Sequence, residues 1–163
     1  MIIREAKAED WATIWLFFHQ IVKAQETFAF EPDLNEEDAR ALWMVKPPGL
    51  TVVAMSDDGQ FILGSASMYP NRSGPGAHVS SASFMVDEQH SGKGVGRALV
   101  EYALNWAKSQ GFSAMQFNAV VESNVYAIRL YENLGFKIVG TVPDAFRHPR
   151  EGLVSLHIMH RVL

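Results

Sequence analysis

The sequence predicts an α/β or α+β fold, one sheet layered with helices around a single core. Three observations carry this. Apolar residues switch between helical and strand spacing in the order strand, two helices, three strands, helix, strand, helix, two strands. No repeat, low-complexity tract or linker interrupts that order. The 163 residues, 48% of them hydrophobic, suffice for one domain with a sizeable core.

Residues 2 to 6 read as a short strand. From about 8 to 25, Trp11, Ile14, Trp15, Phe18 and Val22 recur at helical spacing. The segment Glu26-Thr27-Phe28-Ala29-Phe30-Glu31-Pro32-Asp33 breaks that pattern. Asn35-Glu36-Glu37-Asp38 opens a second helix, acidic in its first turn as the helix dipole prefers, which stops before Pro47-Pro48-Gly49. Residues 50 to 55 and 61 to 69 read as strands joined at the hairpin signal Asp57-Asp58-Gly59. A loop at 70 to 76 precedes a longer strand over 77 to 86. The third helix begins near Gly94, carries Val95, Leu99, Tyr102, Ala103 and Trp106 on one face, and ends at Gly111. Residues 114 to 120 form a strand, and Ser123 or Asn124 caps a fourth helix with Ala127, Leu130, Tyr131 and Leu134 inward. Gly135-Phe136 ends this helix as Gly111-Phe112 ends the previous one, glycine taking the left-handed position. Two strands close the chain, 136 to 142 and about 153 to 162.

A net charge of −4 argues against a nucleic-acid partner, whose electrostatic footprint is usually basic. With no cysteine there is no disulfide, thiolate metal site or cysteine nucleophile. Met1-Ile2-Ile3-Arg4-Glu5 lacks the layout of a signal peptide, and no apolar run approaches the ~20 residues that span a bilayer. The expectation is a soluble, cytoplasmic protein without a membrane partner.

Between the strand ending at Val86 and the third helix runs Ser91-Gly92-Lys93-Gly94-Val95-Gly96-Arg97. Three glycines at alternate positions leave the backbone bare where a helix begins. Such an end offers unpaired N–H groups and a partial positive charge, which suits a phosphate or pyrophosphate. A Walker A loop needs Gly-x-x-x-x-Gly-Lys-Ser/Thr, which does not occur, and a dinucleotide fingerprint needs glycine where Arg97 stands. A tight turn that packs a helix closely on a sheet is the other reading of the same glycines.

About 30 residues further on comes Asn124-Val125-Tyr126-Ala127-Ile128-Arg129-Leu130-Tyr131-Glu132-Asn133-Leu134-Gly135-Phe136. This segment and Val86-Asp87-Glu88-Gln89-His90-Ser91-Gly92-Lys93-Gly94-Val95-Gly96 together resemble the GNAT superfamily of N-acetyltransferases. The earlier string looks like the family's acyl-CoA signature, the later one like its following motif, and the element order of the whole chain is similar. The resemblance implies one domain over residues 1–163, a mixed, mostly antiparallel, twisted sheet of about seven strands flanked by four helices. It implies transfer of an acetyl group from acetyl-CoA to a primary amine by direct attack in a ternary complex. On that reading the amides of Ser91, Gly92, Lys93, Gly94, Val95, Gly96 and Arg97 hold the pyrophosphate of coenzyme A, with charge added by Lys93 and Arg97. Phe84, Met85 and Val86 pair their backbone with the pantetheine arm, and the Val86 N–H polarises the thioester carbonyl. Asn124 reaches the pantetheine or caps the helix after it. Tyr131 matches the family's usual general acid, a phenol of pKa about 10 reprotonating a thiolate whose conjugate acid lies near 8.5. Without the resemblance, Tyr131 reads as a core residue of an amphipathic helix.

The family usually has Arg or Gln where Ser91 stands, so a long side chain near the phosphates is missing. For the base that takes the amine proton, the candidates are Glu26, Asp87, Glu88 and Glu122, with His78 behind them. Glu26 comes first because its aromatic-rich segment lies between helices, a region that lines the acceptor site in this superfamily. That segment resembles the small-molecule branch that includes phosphinothricin and amino-acid acetyltransferases; Phe28 and Phe30 as anchors of the loop to the core is the competing reading. Small residues Ser80, Ser81, Ala82 and Ser83 leave room for an acceptor. The six histidines show no metal spacing, and no metal is expected. The expected acceptor is a small-molecule amine, an amino acid or related compound. Acetylation of a protein or peptide amine, and a non-catalytic acyl-CoA-binding module, are the alternatives; Tyr131 favours an enzyme and Ser91 favours the module. The resemblance also implies a homodimer often enough to make one an expectation.

Overall fold

All seven strands join one sheet, in the order β1-β2-β3-β4-β5-β7-β6. The computed structural model describes residues 1–163. The strands are β1 (Ile2–Glu5), β2 (Leu50–Met55), β3 (Ile62–Pro70), β4 (Val79–Val86), β5 (Ala114–Val121), β6 (Lys137–His148) and β7 (Gly152–Val162). The helices are α1 (Trp11–Ala24), α2 (Glu36–Trp43), α3 (Val95–Ser109) and α4 (Val125–Asn133). Every neighbouring pair is antiparallel except β4–β5, which is the mixed α/β arrangement expected.

Alternation along the strands gives the sheet two apolar faces, each with its own core. Val52, Ala54, Ala82, Met115 and Phe117 meet Val95, Leu99 and Ala103 of α3 on one face. Val53, Ile62 and Met85 meet Trp11, Ile14 and Phe18 of α1 and Trp43 of α2 on the other. The buried Trp43 is satisfied at its polar end, its indole N–H donating to Ser65 Oγ at 2.9 Å. Asn35 caps α2 by accepting the Asp38 N–H at 2.9 Å.

A 3-10 turn, Ala8–Asp10, leads into α1, so the helix starts at Trp11 rather than near 8. Asp10 causes this: it accepts the Lys7 N–H at 2.6 Å and both Arg4 guanidinium nitrogens at 2.7 and 2.9 Å. These bonds tie β1 to the entry of α1. The Arg4 hydrogen bond holds the buried Asp10 carboxyl below its ordinary value of 3.8, against the opposing effect of desolvation. A depressed folded-state pKa adds stability that is present above the ordinary value and lost as pH falls through the folded one. Thermal melts from pH 7 to pH 2 should show that loss. Asp10→Asn should remove it and lower stability by about 1–3 kcal/mol at pH 7.

The sequence predicts that the sixth strand ends at Val142, but it runs to His148. Pro143 has no N–H and Asp144 sits at φ 52, so pairing with β7 lapses between Val142 and Phe146 and then resumes at Phe146↔Val154. A bulge thus carries the strand through residues that would otherwise stop it. At the centre of the sheet the pairing is uneven. The parallel pair β4–β5 holds only at Val79↔Ala114 and Ser80↔Met115, while β4 stays paired with β3 as far as Val86.

Candidate active site

Beyond Ser80 the two central strands part, and the opening is a cleft of about 710 Å³. The start of α3 and the inner face of α4, which pack in the α3 core, and the segment after α1, which packs in the α1 core, all line it. The free edge of β4 can be read from its bonds to β3. Asp87 N–H donates to the Leu63 carbonyl at 3.0 Å, and the Val79 carbonyl accepts from Asn71 N–H at 2.8 Å, with no register shift between. Odd-numbered residues therefore turn their backbone groups to β3. Alternation turns those of Ala82, Phe84 and Val86 into the cleft. Met85, expected beside them, turns its backbone to β3 and buries its side chain, 2% exposed, in the α1 core.

The geometry of the glycine loop is compatible with both readings of its sequence. Gly92 and Gly94 are left-handed, φ 74 and 78, and a Cβ on either would meet nothing within 4 Å. Gly96 serves packing: a Cβ there would lie 3.7 Å from Val86 Cγ2 and 3.8 Å from Leu130 Cδ2, where α3 passes close to β4 and α4. The first helical bond is Ala98 N–H to the Gly94 carbonyl at 3.0 Å, so the N–H groups from Gly92 to Arg97 have no backbone acceptor. That run of donors fits a pyrophosphate, and the bare β4 edge fits the amides of an extended arm. Ser91 departs from expectation, since its N–H is already given to the Glu88 carbonyl at 3.1 Å; the cradle begins at Gly92. Lys93 and Arg97 stand outside the cleft lining. Lys93 Nζ lies 3.3 Å from His90 Nδ1, and Arg97 pairs with Glu101 at 2.8 Å.

At the start of α4, Asn124 Oδ1 accepts the Ala127 N–H at 3.2 Å. Asn124, not Ser123, is the cap, and its Nδ2 remains for the cleft that it lines. Further along α4, Tyr131 packs against Phe84, Phe117 and Phe136 at centroid distances of 6.2, 4.5 and 5.9 Å. It also lines the cleft, which is why the inner face of α4 is half-buried rather than sealed. Burial alone raises its phenol above the ordinary 10, so it stays protonated throughout the physiological range.

Of the candidate bases, Glu26 and Glu88 line the cleft. Glu26 forms an ion pair with Arg150 from the β6–β7 turn. Asp87 is spent on the Gln89 N–H at 3.1 Å. The exposed Glu122 accepts the Ser155 N–H at 3.1 Å, which lowers its pKa, and His78 Nδ1 lies 3.1 Å from the Pro75 carbonyl. Phe28 and Phe30 stack at 5.5 Å, and Phe28 meets Trp43 edge-on at 6.2 Å, so they anchor the loop and wall the cleft at once. Ser81, Ala82 and Ser83 line the opening, whereas Ser80 is buried with its Oγ on the Ala114 carbonyl at 3.1 Å. Sequence reasoning missed Arg150 and also Asn118 of β5, which lines the cleft; no local pattern marks either.

The sequence profile of the Acetyltransferase (GNAT) family matches residues 15–136, which contain both the glycine loop and Tyr131. The chain belongs to this family. It is 37% identical to N-acetyltransferase aca1 of Schizosaccharomyces pombe, over 93% of its own length and 79% of that protein. A GCN5-related N-acetyltransferase from Kribbella flavida is 54% identical and superimposes with a TM-score of 0.96, covering 99% of this chain and 97% of the other. The yncA protein of Salmonella typhimurium, solved with its cofactor acetyl-CoA, is 25% identical with a TM-score of 0.82, covering 100% and 94%. This GNAT protein is thus an acetyl-CoA-dependent N-acetyltransferase. No helix of it is long and apolar enough to cross a membrane.

Proposed function

We propose that this GNAT enzyme acetylates a primary amine of a small molecule, an amino acid or related compound, by direct attack in a ternary complex. The observation that carries the reading is the single cleft itself. The free amides at 92–97, the open edge of β4 and Tyr131 border it together with the aromatic segment 26–30, which walls it from the α1 face of the sheet. A cleft walled in this way suits a compact acceptor, and a net charge of −4 suits a cationic one.

On this reading the thioester lies along β4 with its carbonyl at the Val86 N–H. The amine nitrogen attacks the carbonyl carbon, a C–N bond forms, and the oxygen takes the negative charge beside that N–H. Collapse breaks the C–S bond, and the thiolate takes the Tyr131 proton. The nitrogen gives its proton to Glu26, directly or through water, and Glu26 must part from Arg150 or share it to do so. Glu26→Gln should then lower kcat/KM at least about tenfold. An unchanged kcat/KM removes Glu26 from the mechanism.

Calorimetry with acetyl-CoA, followed by thiol detection across amino acids, alkylamines, arylamines and peptides, tests the whole reading. Binding together with turnover of a small amine is the expected result. Turnover of peptides alone would overturn the acceptor class, and binding without any turnover would make the protein an acyl-CoA-binding module.

A further inference from the structure

We infer that Asn118 positions the acceptor amine for attack, an inference that rests on the acyl-transfer reading of the cleft. Pairing of β5 with β7 is regular to Phe117↔Met159 and resumes at Val120↔His157, which leaves Asn118 and Ala119 outside the ladder. Bulges of this kind re-aim side chains, and Asn118 lines the cleft at this one.

The face it occupies follows from its neighbours. Met115 and Phe117 belong to the α3 core, so Gln116 and Asn118 point to the opposite face. On β4, Ala82 belongs to the α3 core and Met85 to the α1 core, which puts Ser81 and Ser83 on that same opposite face. Asn118 therefore stands across the opening from Ser81 and Ser83, on the side walled by Phe28 and away from the glycine loop.

Its amide is fixed at both ends. Oδ1 accepts from Gln116 Nε2 at 3.0 Å, and Nδ2 donates to Asn71 Oδ1 at 2.7 Å. Holding a side chain this way costs rotamer entropy, and Asn118 is exposed, where such bonds return little stability. An amide has four hydrogen-bonding positions, so one N–H and one Oδ1 lone pair remain for the cleft. The charged residues of the lining are Glu26 and Glu88, with no Lys, Arg or His among them. A neutral amine whose lone pair faces the thioester still has N–H groups to place. Asn118 Oδ1 is an acceptor on this face whose direction the protein sets in advance through two side-chain bonds, which is the preorganisation that orientation needs.

The test takes an amine found by the panel and compares Asn118→Leu, of similar size without hydrogen bonds, with Asn118→Asp, which keeps the oxygen. Asn118→Leu should raise the KM for the amine at least about tenfold, the value of one good hydrogen bond, with the KM for acetyl-CoA within about twofold. Asn118→Asp should stay within about threefold of the parent. Should the leucine variant not fold, Asn71→Ala frees the same amide from outside the cleft lining and should raise the amine KM about threefold. An amine KM unmoved by these variants, an acetyl-CoA KM that rises in step, or an aspartate variant as impaired as the leucine one would each overturn the inference and leave the acyl-transfer reading standing. A panel with no amine turned over would sink both.

Discussion

Replacing Tyr131 with Phe should lower kcat by about a hundredfold or more and leave the acetyl-CoA dissociation constant within about twofold. The ring that packs on Phe84, Phe117 and Phe136 stays, and only the hydroxyl goes. Burial raises this phenol, which makes it a weaker acid, but the same desolvation raises a thiol in the same cleft, so the transfer between them keeps its driving force. The pH dependence has a definite sign. The neutral phenol is the active form, and raising its pKa moves the loss of activity upward. Any alkaline limb owed to Tyr131 therefore lies above pH 10. Stopped-flow thiol release from pH 7 to 10 is the measurement. A Phe variant that turns over as fast as the parent would remove the acid role.

Substituting Gly94 with Val should weaken acetyl-CoA binding by about 30-fold, or about 2 kcal/mol, while the protein stays folded. At φ 78 a β-branched residue is strained, and relief of the strain rotates the N–H groups that begin α3 away from a common point. The position is exposed and a Cβ meets no neighbour, so packing is not the cause. Gly111→Val supplies the control. It has the same left-handed backbone, φ 82, at the other end of α3. It should cost similar stability without touching the dissociation constant measured by calorimetry.

Much of this is legible in the chain because it depends on near neighbours. The start of α2 at Asn35, the left-handed glycines at 111 and 135, and strand β2 at its stated bounds all follow from local sequence. The order of strands and helices does too. What is not legible depends on residues far apart. That β4 and β5 part after Ser80 follows from how far each pairs with its other neighbour, which no single strand encodes. The direction of Met85 needs the register with β3, and the strand through Pro143 needs β7 to hold it. Ser91 does stand beside the cradle, but its N–H is consumed by a turn that its own sequence does not announce. Asn118 and Arg150 are invisible for the same reason, since Gln116 and Asn71 give the first its place in the cleft and Glu26 gives the second its ion pair outside the lining.

The central claim is that acetyl passes directly from acetyl-CoA to an amine, both seated in the cleft between β4 and β5. Initial rates of thiol release, with acetyl-CoA and an accepted amine varied together, test it most directly. Direct transfer predicts amine-dependent release matched by an equal amount of acetylated amine, with double-reciprocal lines that intersect. Parallel lines would mean an acetylated enzyme, and release indifferent to every amine would mean no transfer at all; either result contradicts it.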